Sequence, residues 1–110
     1  MTENLNVGQT VGYEVVWFSG PNGTGTVIPD PGTSTFTSDA PTTMSVASTG
    51  TQAANVTGVA AGNANLTAVS STGVTAGFLD ATGAYQSGPL AFLVAAALSI
   101  VSGIIRRIAG

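Results

Sequence analysis

The only carboxylates in these 110 residues are Glu3, Glu14, Asp30, Asp39 and Asp80, and no histidine, cysteine or lysine accompanies them. General acid–base catalysis needs a group poised near the working pH, or a carboxylate pair whose neighbours push the two pKa values apart. Five acids scattered singly along the chain offer no such pair. Without His, Cys or Lys there is no triad, no thiolate, no Schiff base and no conventional zinc site, and Asp30, Asp39 and Asp80 do not make an Asp-x-Asp calcium pattern. The expectation is a non-enzymatic protein with no catalytic, cofactor-binding or metal-binding residues and no cofactor. The three aspartates read instead as turn and cap residues that bond to local backbone.

Other features that mimic function have plainer readings. Gly20, Gly23 and Gly25 suggest a phosphate-cradling loop, but no lysine follows and no helix opens there, so a hairpin turn is favoured. Asn22-Gly-Thr, Asn55-Val-Thr and Asn65-Leu-Thr match the glycosylation sequon, as chance allows in a chain so rich in Thr and Ser. Tyr13 and Trp17 are expected to pack in a core, because the chain has only seven aromatic residues to build one. The charges segregate: all five acids lie upstream, and the only bases are Arg106 and Arg107. A segment 1–105 without Lys, Arg or His cannot neutralise phosphates, which makes nucleic acid an unlikely partner.

The elements that must position these residues are strands. Gly, Ala, Ser and Thr supply 57 residues, charged residues only 6% and apolar residues 44%. Thr suits a pleated surface and Gly and Ser punctuate turns, whereas the usual exposed-helix residues are nearly missing. Val11, Tyr13, Val15 and Trp17 alternate along 10–18, Pro21-Asn22-Gly23 is a turn, and a strand is expected through Thr26–Ile28. Pro29-Asp30-Pro31-Gly32 breaks it. Further short strands are expected at 35–37, 44–47, 54–59, 64–69 and 74–78, with a turn at Ser38-Asp39-Ala40-Pro41. Such spacing indicates a small sandwich or barrel.

Residues 38–68 carry a more specific pattern. Ser38-Asp39-Ala40-Pro41, Val46 and the run Asn55-Val56-Thr57-Gly58-Val59-Ala60-Ala61-Gly62-Asn63-Ala64-Asn65-Leu66-Thr67-Ala68 resemble the bacterial Ig-like group 2 domain. Val7-Gly8-Gln9-Thr10 is similar to that family's opening to an early strand. The sequence departs from the family at Phe36-Thr37-Ser38 and in a longer 19–33 segment. The resemblance spans roughly residues 7–78. It implies an all-β, immunoglobulin-like sandwich of the kind found in bacterial surface proteins and phage virions, used for binding or spacing rather than chemistry.

From Gly88 the pattern changes. Pro89 to Ile105 contains no charge and is rich in Ala and Leu, with Pro89 at a position that a helix tolerates. This predicts three units: a sandwich over 1–80, a linker over 81–88 and a hydrophobic α-helix over 89–109. Ala95, Ser99 and Gly103 would form a small-residue packing face for assembly, and Leu93, Leu98, Val101, Ile104, Ile105, Arg106 and Arg107 an anchor. Seventeen uncharged residues are at the short end for spanning a bilayer through 89–105, so a membrane is a possible partner beside copies of the chain itself and other virion or surface proteins. The N-terminus lacks the basic and apolar regions of a secretory signal. The leading expectation is a phage virion component, such as a minor capsid, decoration or spike protein. The alternatives are a membrane-anchored bacterial surface or adhesion module, and a subunit of an extracellular filament with helices in its core.

Overall fold

Alternation decides the centre of the molecule. In Ala53–Gly58 and Gly62–Val69 every second residue (Ala54, Val56 and Gly58, then Ala64, Leu66 and Ala68) is buried, and the residues between them are partly exposed. Side chains of a strand point to opposite faces with period two, so each segment lays one apolar face on a core. A computed structural model describes residues 2–96 and 102–108. Its strands are β1 (Thr2–Asn6), β2 (Thr10–Glu14), β3 (Thr35–Ser38), β4 (Met44–Gly50), β5 (Ala53–Gly58), β6 (Gly62–Val69), β7 (Phe78–Leu79), β8 (Tyr85–Gln86) and β9 (Leu90–Ala95). One sheet has the order β1-β9-β6-β3, a second β2-β5-β4, and β7 pairs with β8 alone. All pairings are antiparallel except β1 with β9, which run parallel with Leu5 opposite Val94.

The two larger sheets close on a core of Leu5, Met44, Val56, Ala64, Leu66, Phe92 and Val94, with Val7, Val11, Tyr13, Phe36, Val46 and Leu90 packed around it. Tyr13 of one sheet meets Phe92 of the other edge to face, with centroids 5.4 Å apart and planes at 79°. That geometry places a ring's positive edge on its neighbour's negative face. At the first corner Gly58 is required by close approach: a Cβ there would run into the carbonyl oxygen of Asn6 and come within 3.1 Å of Val94. Its own N–H donates to Gln9 (3.0 Å) and its carbonyl accepts from Gly8 (2.8 Å), which ties the turn after β1 to the end of β5.

The expected C-terminal helix is not present among the described residues. Leu90–Ala95 is instead strand β9, lodged between β1 and β6 in the first sheet. Residues 102–108 have no regular secondary structure, and no described helix is long and apolar enough to cross a membrane. This overturns the C-terminal hydrophobic helix and the helical transmembrane reading. The reason is physical. A continuous apolar run of this length reads equally well as a buried strand, and a short isolated helix is marginal in water. Phe92 and Val94, each 1% exposed, occupy the slot between two strands, whereas Leu93 on the other face is 44% exposed. Tyr85–Gln86, within the stretch read as a linker, forms β8.

Candidate interaction surface at the loop end

Strand directions sort the connections into two ends. The register pairs Glu14 with Ala53, Gly50 with Ala53 and Thr35 with Val69. Segment 15–34, the β4–β5 turn and segment 70–89 therefore gather at one end, the loop end. The turns at 7–9, 39–43 and 59–61 lie at the opposite end, and the chain departs from that end after Ala95.

A polar frame fixes the long loops. The Asp30 carboxylate accepts from the Ser34 hydroxyl (2.7 Å), the Ser71 N–H (3.0 Å), the Gly32 N–H (3.1 Å) and the Ser71 hydroxyl. These donors, the Ser71 hydroxyl first, hold its pKa far below the usual carboxylate range. Ser34, 1% exposed, accepts in turn from the Trp17 indole N–H at 3.0 Å. Gln52 reaches in from the β4–β5 turn, accepting from the Asp30 N–H (2.9 Å) and donating to the Val15 carbonyl (2.9 Å). One aspartate thus joins segment 15–34 to segment 70–89.

Asp80 does the same work within the β7–β8 hairpin. It accepts from the Thr82 hydroxyl (2.6 Å), the Thr82 N–H (2.9 Å), the Ala84 N–H (3.0 Å) and the Gln86 amide (2.9 Å). Those bonds, led by the Thr82 hydroxyl, lower its pKa to about 2. At the far end Asp39 grips Asn65 through both its N–H (2.7 Å) and its side-chain amide (2.8 Å), and its pKa is lowered by those bonds. Asp30 and Asp39 are cross-braces between distant segments, and Asp80 is the acceptor of its own hairpin.

Framed by the two long loops is an open groove of about 600 Å³, lined by Trp17, Phe18, Pro21, Val74, Phe78, Leu79, Tyr85 and Glu14 among others. Four of the seven aromatic residues face it. The first wall is a short hairpin-like excursion in which Phe18 bridges Val27, Ile28 donates to Trp17 (2.9 Å) and the chain reverses at Asn22 and Gly23, both at positive φ. Asn and Gly are the residues that tolerate that region. The expected strand through 26–28 is reduced to that bridge. Val16, Phe18, Val27, Ile28, Val74 and Leu79 are each 40–59% exposed, so the loop end presents an apolar surface with the Glu14 carboxylate in the groove lining.

The residues singled out in the sequence fall elsewhere. Ala95 ends β9, and Leu93 lies on its outer face. Ile104, Ile105, Arg106 and Arg107 are exposed in segment 102–108, and a Cβ at Gly103 would meet nothing within 4 Å. Leu98, Ser99 and Val101 lie outside the described residues. Sequence reasoning missed the groove: Trp17, assigned with Tyr13 to the core, is half-buried at its wall, while Tyr13 packs inside. The available signal was the break at Ser19-Gly20, beyond which a strand face stops being a core face. Among the described residues no group of three or more His, Cys, Asp or Glu is placed to hold a metal. No family model, no curated protein and no solved structure matches the chain.

Proposed function

We propose that this chain is a structural protein of a multi-copy assembly, a phage virion component of the minor capsid, decoration or spike type. Its immunoglobulin-like sandwich, related to the bacterial Ig-like group 2 modules, serves as the building unit. The observation that carries the reading is the two-ended layout: an apolar tail leaves one end of the sandwich, and the aromatic loop surface occupies the other. Ile104, Ile105 and Ile108 are 87%, 103% and 93% exposed in the isolated chain. Soluble proteins seldom leave such residues uncovered in a row, and a covered state requires another surface. The strand division supports the sandwich assignment, because β2-β5-β4 against β9-β6-β3 corresponds to strands B-E-D against G-F-C of immunoglobulin domains. In those domains too, the connections equivalent to 15–34 and 70–89 share one end.

An antibody raised against the 39–43 turn, which lies away from the loop-end groove, tests this. Immuno-electron microscopy of particles released from cells that produce the protein should show label on intact virions. Label confined to the soluble cell fraction, with unlabelled particles, refutes the assignment.

A further inference from the structure

The charge layout is as two-ended as the apolar one. Glu14, Asp30 and Asp80 sit at the loop end, Glu3 lies along the edge strand β1, and Asp39 alone braces the opposite end. The two arginines, the only basic residues of the chain, lie in the tail that leaves that opposite end. The tail sequence Ser102-Gly103-Ile104-Ile105-Arg106-Arg107-Ile108 therefore combines exposed branched apolar side chains with positive charge. The loop end combines an apolar aromatic groove with negative charge. The carboxylates there are tied to neutral donors only, so their charge is uncompensated within the described fold.

We propose that the tail of one copy, residues 102–108, docks in the loop-end groove of a second copy. The inference rests on the multi-copy structural reading above and names the surface that the tail covers. Isoleucine side chains enter between Phe18, Leu79 and Tyr85, and Arg106 and Arg107 face the Glu14 carboxylate that lines the groove, within the negative field of the loop end. Burial of branched aliphatic side chains supplies the affinity, and charge pairing sets which end meets which. Donor and acceptor surfaces lie at opposite ends of one molecule, so the contact is heterologous. It does not close on itself as a two-fold dimer does, and it generates an open head-to-tail series.

Two full-length variants test the idea by complementation. I105D/I108D removes the donor while leaving the groove intact, and F18D/L79D removes the acceptor while leaving the tail intact. All four positions are at least 40% exposed, so both chains should fold, which circular dichroism and thermal melting check. Analytical ultracentrifugation of the unaltered chain should show a ladder of species that lengthens with concentration and shortens with salt. Each variant alone should lose the ladder, its self-association weakened by about tenfold or more. An equimolar mixture should give a one-to-one heterodimer that stops there. As an independent arm, R106E/R107E should abolish association and the triple variant E14R/R106E/R107E, in which every copy carries the reversed pair, should restore part of it. A chain that stays monomeric throughout, a variant that keeps the ladder, or a mixture that forms no heterodimer overturns the proposal. Virions that carry the antibody label although no ladder forms would overturn the docking alone and leave the virion assignment standing.

Discussion

Replacing Phe92 by alanine separates the strand that is present from the helix that the sequence suggests. Phe92 is 1% exposed, sits opposite Ala64 and Glu3 in the middle of β9, and stacks its ring edge to face with Tyr13 across the two sheets. Phe-to-Ala changes at such sites cost about 3–5 kcal/mol, from lost burial and the cavity left behind. A domain of this size has about 5–14 kcal/mol of total stability, so roughly a fifth or more of it should go. With an unfolding entropy of about 0.2 kcal/mol/K, the melting temperature should fall by about 15–25 °C. The paired control is Leu93→Ala on the outer face of the same strand, where 44% exposure predicts a cost below about 1 kcal/mol. Urea titrations followed by the fluorescence of Trp17, the only tryptophan, measure both. Equal effects at 92 and 93, or a Phe92→Ala cost under about 1 kcal/mol, would refute the placement of β9 in the core.

Acid should loosen both ends of the fold, the loop end through Asp30 and Asp80 and the opposite end through Asp39. Asp30, Asp39 and Asp80 all have folded-state pKa values below the ordinary 3.8, so the unfolded chain binds protons first as pH falls. Their stabilisation is complete above about pH 5 and is lost progressively below it, for Asp80 down to about 2, which thermal melts between pH 6 and 2 will record. Ser34→Ala removes the acceptor of the Trp17 indole and a donor to Asp30 in a buried site; a loss of about 1–3 kcal/mol and a shift in Trp17 emission are expected. Gly58→Ala should cost about 1–3 kcal/mol by calorimetry, because the added methyl meets the Asn6 carbonyl rather than a yielding side chain.

The all-β class was legible because local chemistry and tertiary need agree there. Ala54 and Val56, then Ala64 and Leu66, alternate in segments long enough to be strands, and Gly62 opens the second of them. Asp80 was likewise readable as a turn acceptor of local backbone, whereas Asp39 bonds instead to Asn65, 26 positions away across the β3–β6 pair. The apolar 89–109 segment was not legible: Leu90 to Ala95 satisfies a helix pattern and a buried-strand pattern alike, and the choice is made by a vacancy between β1 and β6 that no local window contains. The groove was hidden for a related reason. Trp17 and Tyr85 are 68 positions apart in the numbering, and only the shared end of the sandwich brings their loops together.

The central position of β9 also governs how the molecule is made. The last strand among the described residues lies between the first and the sixth, so during synthesis β1 has no partner in its sheet and β6 lacks one neighbour until residue 95 is available. All of residues 2–95 must be synthesised before that sheet can close, so its closure depends on contacts distant in sequence. In the interval two unpaired strand edges face the solvent, an opening that a β9 segment from another nascent chain fits equally well. Crowded synthesis at high copy number would then favour exchanged strands, and the sparse charge of the chain gives little repulsion to prevent it.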